Sequence, residues 1–364
     1  MLIARLLLIS ASVFAIFFNP AAAQPSGAEG DDFIYRVQSG DTLSELATQY
    51  TGNNANWRRL QGINSIEDPY ALPIGKSLHI PFSMIPVSAA EATLTHQQGS
   101  PRINGYVAPV GYTFQEGDVI QTDERAFLTI LLADNSTISV PPNSTLTVQR
   151  LKTFNGTGIT DSILKLDQGS VETRVAPESE GVGRFEVHTP VSITGVRGTD
   201  LRVNAYENHT ITEVLSGQAK FHAPSHTPQM VAANQGAAMD HSGHIVAQVS
   251  LLAAPAISEP ARSASGGWEV HFPPVPQAVQ YLAQVSLDEA GSQLVSRQYT
   301  TETSVRFQSS GKSGPHYLRV RAIDAHGIMG NDAIASFPGL PALRISDGTP
   351  VMTRFGIPVT LSEF

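Results

Sequence analysis

The chain has 364 residues, with 23 Lys plus Arg against 32 Asp plus Glu and a net charge of −9; that balance argues against nucleic acid and against holding anionic polymers by bulk charge. It has no cysteine, which removes disulfides, a lipid-modified N-terminal cysteine, thiolate zinc sites and cysteine nucleophiles together. Only 15% of residues are charged and 41% are hydrophobic, with 30 glycines and 24 prolines; this is the profile of β-rich, turn-rich domains, and the length suggests two or three of them.

Arg5 precedes an apolar run from Leu6 to Phe18 interrupted only by Ser10 and Ser12, followed by Asn19-Pro20 and Ala21-Ala22-Ala23. A cation, a short apolar core and small residues at its end predict a secretory signal at 1–23, cleaved before Gln24. Cleavage removes 23 of 364 residues, leaving 341, and the loss of Arg5 moves the net charge to −10. No later stretch approaches about 18 consecutive apolar residues, so the mature chain is expected to carry no transmembrane segment. Residues 24–32 are small, polar and glycine-containing, and read as a short flexible leader.

Helical signals are clear in one segment, 33–82. Phe33 to Val37 predicts a strand. Thr42-Leu43-Ser44-Glu45 fits a capping box, in which hydroxyl and carboxylate satisfy free amides at a helix start. Leu43, Leu46, Ala47 and Tyr50 then repeat at i, i+3, i+4 and i+7, and Gly52 can end the helix. A second short helix from about Asn54 carries Trp57, Leu60 and Ile63. Pro73-Ile74-Gly75 turns into a closing strand, Ser77 to Ile80, that Pro81 ends. The expected order is βααβ, around a core small enough to depend on its caps.

Residues 83–100 read as a linker, with Pro86, alanines and Gln97-Gln98-Gly99. From 101 to 250 the pattern becomes short strands between Gly, Pro, Asn and Asp. Strands are expected at 126–132, 137–140 and 145–148, and at 162–166 and 170–175 about a Gln168-Gly169 turn. This predicts an all-β sandwich or a wound β structure. An Ala/Pro hinge opens the segment 251–340, where 268–272, 280–285 and 317–323 alternate apolar and polar residues, and 341–364 is a tail. The predicted fold class is therefore a mainly β multidomain protein.

Three runs carry family resemblances. Val37-Gln38-Ser39-Gly40-Asp41-Thr42-Leu43-Ser44-Glu45-Leu46-Ala47, Asn56 to Asn64, and Leu72 to Pro81 follow the LysM pattern in order. That resemblance implies binding of N-acetylglucosamine units of peptidoglycan or a related glycan, in a shallow groove between two loops. Carried onto this chain, the groove residues are Gly40, Asp41, Thr42, Leu43, Asn64, Ser65, Ile66, Leu72 and Ile74. An acetamide needs a donor, an acceptor and an apolar spot for its methyl, and backbone groups at helix ends can supply the polar part. The segment 65–71 is longer than the usual family loop. Read without a ligand, Asp41 and Thr42 are caps and Leu43 and Ile74 are core.

Phe185 to Leu201, containing Thr189-Pro190 and then Gly195-Val196-Arg197-Gly198-Thr199, resembles FecR-type periplasmic domains. Gly117 to Thr122, Leu132 to Ser136, Val214 to Ala219 and Ala233 to Gly236 fit the same family. In that family the region relays an iron-siderophore signal from an outer-membrane receptor to a sigma factor, through a membrane segment not found here. The relay is therefore not carried over, since a fold does not fix a function. Arg197 reads as a structural arginine whose fork ties neighbouring carbonyls, with Gly195 and Gly198 allowing tight backbone. Leu318 to Gly327 resembles the penultimate strand and turn of fibronectin-type-III sandwiches, implying an Ig/fibronectin-like C-terminal module.

Enzymatic patterns are weak. There is no H-E-x-x-H, G-x-S-x-G or P-loop, and Ser310-Gly311-Lys312-Ser313 lacks the upstream glycine. Ser162 and Lys165 match S-x-x-K on an alternating strand, without its companions. Asp240, His241 and His244 lack a further well-spaced metal ligand. The N-x-S/T sequences at Asn135, Asn143, Asn155 and Asn208 read as turn composition. The expectation is an exported, non-enzymatic periplasmic or wall-associated protein, without cofactor or metal, that binds glycan and presents a surface to an envelope protein. The alternatives are a FecR-type signal sensor without its own membrane segment, and a cell-wall hydrolase with an unrecognised site.

Overall fold

The computed structural model describes residues 27–176, 182–196, 198–224, 226–263, 267–352 and 359. The predicted signal at 1–23, Arg197 and tail residues 353–358 and 360–364 lie outside them.

The N-terminal unit has the expected βααβ order. Strand Asp32–Arg36 pairs antiparallel with Ser77–Pro81, placing Phe33 opposite Ile80 and Tyr35 opposite Leu78. Between them come helix α1 (Leu43–Thr51), a short 3-10 turn (Asn54–Asn56) and helix α2 (Trp57–Ile63). The i, i+3, i+4, i+7 residues of α1 are all buried, and they meet Phe33, Leu60, Leu78 and Ile80 in one core. The Thr42 hydroxyl accepts from the Glu45 amide at 3.2 Å, and Gly52 ends α1 at φ 66° with its amide on the Thr48 carbonyl. The Glu45 carboxylate accepts the Thr42 hydroxyl at 2.8 Å. Thr42 is thus a helix cap, as its sequence position suggested.

This core is not closed by its own fifty residues. Phe154 and Ile159 belong to it, and Phe82 stacks on Phe154 with centroids 4.3 Å apart. Residues 83–100 are correspondingly not a linker. Val87–Ala89 pairs with the end of Ser144–Phe154, and Ala92–Gln98 pairs with Phe127–Leu132. Their alternation is masked in the sequence by alanines and threonines, yet Ala92 and Leu94 are buried in the central core.

The central region is two sheets that share one strand, Ile159–Arg174. Its first half pairs antiparallel with Ser144–Phe154 and parallel with Val182–His188. Its second half pairs with Thr137–Val140 and Asp200–Ala205. The turn expected at Gln168-Gly169 is therefore a bend within a continuous strand. Gly169 takes φ 90°, and a Cβ there would lie 2.4 Å from the Asn143 carbonyl oxygen, so only glycine lets the strand cross between sheets. Real turns fall at Asn135 and Asn143, at φ 64° and 61°.

In the C-terminal region, a three-stranded sheet (Ala261–Arg262, Trp268–His271, Ser304–Phe307) faces a four-stranded one. The order of the latter is Leu294–Thr300, Gln280–Ser286, Gly314–Ile323, Ala333–Gly339. Trp268, Val270 and Phe307 from one sheet pack on Tyr281, Leu318 and Phe337 from the other. The protein is a mainly β multidomain chain, and among the described residues helix is confined to its N-terminal part. Among the described residues no helix is long and apolar enough to cross a membrane.

Candidate functional site

The segment entering the loop before α1 is bonded to the turn that precedes the closing strand. The Gly75 amide donates to the Val37 carbonyl at 2.8 Å, and the Val37 amide donates to the Lys76 carbonyl at 3.0 Å. The loop leading into α1 is rigid. Asp41 Oδ2 accepts from the Tyr35 hydroxyl at 2.8 Å and the Gln38 amide at 2.6 Å, and Gly40 supplies φ 96°. Burial, and then the Asp41 contact, push the Tyr35 hydroxyl up, and the same two causes push Tyr50 up to about 12. Both phenols stay protonated, so Asp41 accepts from Tyr35 at every physiological pH.

The nine named residues divide by exposure. Gly40, Thr42, Ser65 and Ile74 are exposed, Asp41 and Leu72 are half-buried, and Leu43, Asn64 and Ile66 are buried. Leu43 and Ile66 belong to the core. Asn64 is spent on structure: its amide donates to the carbonyls of Leu60 (2.9 Å) and His79 (2.8 Å), and its oxygen accepts the His79 amide at 2.7 Å. It ties the end of α2 to the closing strand. Ile74, by contrast, is an apolar side chain that is 69% exposed.

In the FecR-like motif Thr189 is buried, and its hydroxyl meets those of Ser192 and Thr210, each at 2.9 Å. Pro190 is exposed. Gly195 and Val196 lie in strand Ile193–Val196, which pairs with Val182–His188 and Gln218–His222. Gly198 takes φ 57°, and the buried Thr199 donates its hydroxyl to the Gln218 carbonyl at 3.0 Å. On the long strand, Lys165 pairs with Asp167 at 2.5 Å while Ser162 is buried. An odd spacing on a strand puts Ser162 and Lys165 on opposite faces, so they form no S-x-x-K pair.

Sequence reasoning missed a polar network where the central and C-terminal regions meet. Arg321, 1% exposed, donates to Glu172 (3.0 Å), Asp332 (2.6 Å) and Gln284 (2.9 Å). Arg202, equally buried, donates to the Gly330 carbonyl at 2.9 Å, and Glu213 accepts the Met329 amide at 2.8 Å. Arg202 Nε and Glu213 Oε2 stand 3.6 Å apart, an ion pair without a hydrogen bond. Burial pushes the Glu213 carboxyl up to about 7 despite Arg202. Burial also raises Glu172, but Arg321 and Arg202 outweigh it and hold that carboxyl at about 2. On their strands Arg202, Glu213, Glu172 and Arg321 alternate with core residues, so in the sequence each has the spacing of an outward-facing side chain.

Comparison with known proteins matches two stretches of the chain. A family model described as LysM domain matches residues 35–81, and one described as FecR protein matches 118–220. Both are families of non-catalytic domains, and both fit an envelope or periplasmic location. Among solved structures, two crystal structures of a candidate anti-sigma factor from Parabacteroides distasonis ATCC 8503 align at 15% and 16% identity with a TM-score of 0.30. Each alignment covers 36% of this chain and 59% of that one, so the chain spans under two thirds of their length. No curated protein matches the chain.

Proposed function

We propose that this is an exported, non-enzymatic cell-envelope protein that docks on peptidoglycan, or a related N-acetylglucosamine glycan, through its N-terminal loops and presents its β regions to an envelope protein partner. The observation that carries the reading is the LysM match over 35–81, supported by the backbone hydrogen bonds that join Val37, before the first loop, to Gly75 and Lys76, beside Ile74. Gly40, Asp41, Thr42, Ser65, Leu72 and Ile74 form the groove, with Leu43, Asn64 and Ile66 supporting it from below. Because the chain is net acidic, recognition is local: backbone donors and acceptors for the acetamide, Ile74 and Leu72 for its methyl group. The 251–340 region acts as a fibronectin-type-III-like spacer, a reading supported by its three-plus-four strand order.

Titration of the full chain with N-acetylglucosamine oligomers tests this. Ile74→Asp is expected to weaken binding by about tenfold or more, as an exposed hot spot does, with an unchanged thermal midpoint. Equal binding by the variant would refute the groove assignment.

A second reading, a FecR-type sensor, is favoured by the match over 118–220. Cross-linking of the protein to an outer-membrane receptor in cells would support it; retention on sacculi with no such partner would support the scaffold. Dye release from labelled sacculi would point instead to a hydrolase, and none is expected.

A further inference from the structure

A cleft of about 980 Å³ opens between the central and C-terminal regions, at the upper end of the range for small-ligand clefts. The central region contributes Asn204, at the end of strand Asp200–Ala205, and Tyr206 just beyond it; the C-terminal region contributes Arg297, Gln298 and Tyr299 from edge strand Leu294–Thr300. None of these residues belongs to the N-terminal groove.

Both tyrosines are about half exposed, at 44% and 49%, and each is braced on one side. The Tyr206 ring stacks on His209 with centroids 4.4 Å and planes 11° apart, and the Arg297 guanidinium lies 5.1 Å from the Tyr299 ring centroid. A ring already held in place costs little extra entropy when a ligand stacks on it. We infer that this cleft is a second binding site, for an oligosaccharide.

Sugars present hydroxyls that both donate and accept, together with apolar ring faces. The cleft answers with amides that do both (Asn143, Gln168, Asn204, Gln298) and with two partly exposed aromatic rings. Carboxylates of Glu124, Asp167 and Glu207 accept hydroxyl protons, and Arg125 and Arg297 donate. Three carboxylates against two arginines disfavour a polyanion. Apart from the rings, the apolar lining is Pro142, Pro190 and Ala205, which offers no deep pocket for the large apolar side chains of a peptide.

The cleft is also preformed. Arg202, on the strand that carries Asn204, donates to the Gly330 carbonyl. Gln284, on the strand paired with Leu294–Thr300, binds Arg321, which holds Glu172 of the central region. The two walls are thus tied by buried contacts before any ligand arrives, which lowers the cost of binding.

Hydrogen exchange on the full chain, with and without short peptide-stripped peptidoglycan glycan strands, tests the proposal. Protection is expected at 204–207 and 297–299 as well as in the N-terminal loops. Tyr299→Ala should weaken the cleft site by about tenfold, whereas Tyr299→Phe, which keeps the ring, should retain it. Tyr206→Ala should do the same from the other wall, so a folding defect in one region cannot explain both. Ile74→Asp should remove protection from the N-terminal loops alone, which separates failure of this proposal from failure of the groove. No cleft protection by the strands, or equal protection by free stem peptide, would overturn it.

Discussion

Glu213 has no exposed surface, one oxygen on the Met329 amide and the other 3.6 Å from Arg202. Its carboxyl, pushed to about 7, keeps its proton between pH 4.5 and 7, a window in which the unfolded chain has lost it. Folding therefore binds a proton there, and the contribution, full below 4.5, is lost as pH rises through the window. Glu172 works in the opposite sense: held at about 2, it adds stability above pH 4.5 that is lost as pH falls. Glu213→Gln removes the first titration. The stability difference between wild type and variant should change by roughly 3 kcal/mol between pH 4.5 and 7, read from urea melts at several pH values. A constant difference would show that Glu213 does not titrate there. None of this was legible in the sequence, because Arg202 and Glu213 read as the ordinary outward residues of alternating strands. They become buried only when a second sandwich covers that face. Asn64 misled in the other direction, since a polar residue after a helix can serve a ligand or a neighbouring strand, and here it serves His79.

At the scale of elements, α1 was readable because four signals agree: the Thr42 cap, the apolar i, i+3, i+4, i+7 face, Gly52 and the closing strand. The strand at 137–140 was readable by alternation, and that at 126–132 by a nearly continuous apolar run between turn residues. Gln168-Gly169 was not, because a glycine inside a strand pattern marks a turn or a bend with equal right. The structure makes it a bend, and Gly169→Ala tests that assignment. With φ 90° and a Cβ placed 2.4 Å from the Asn143 carbonyl oxygen, the variant should lose about 1–3 kcal/mol of stability, measured by chemical denaturation. A neutral substitution would mean that the strand does not pass between the sheets there. The segment 83–100 reads as a linker because its four buried side chains, Met84, Ile85, Ala92 and Leu94, stand in two separated pairs among Pro86 and exposed or half-buried alanines and glutamines, and its strand partners lie far along the chain.

Over the whole molecule, contacts between successive regions are extensive rather than linker-like. Phe154 and Ile159 complete the N-terminal core, so the proposed glycan groove is fixed in direction relative to the central sheets. Arg321 does the equivalent for the C-terminal sandwich, joining Glu172, Gln284 and Asp332. Arg321→Ala strands those partners and should cost about 3–5 kcal/mol. Calorimetry should then resolve separate transitions for regions that unfold together in the wild type; a single unshifted transition would show that the network does not couple them.

In the proposed function the chain sits on the cell wall through uncharged groove chemistry. The most direct test of this docking is co-sedimentation of the full chain with purified sacculi, with and without N-acetylglucosamine oligomers. Retention is expected, abolished by the oligomers and left intact by moderate salt, because bulk charge plays no part. Failure to sediment, or retention undiminished by the oligomers, would contradict it.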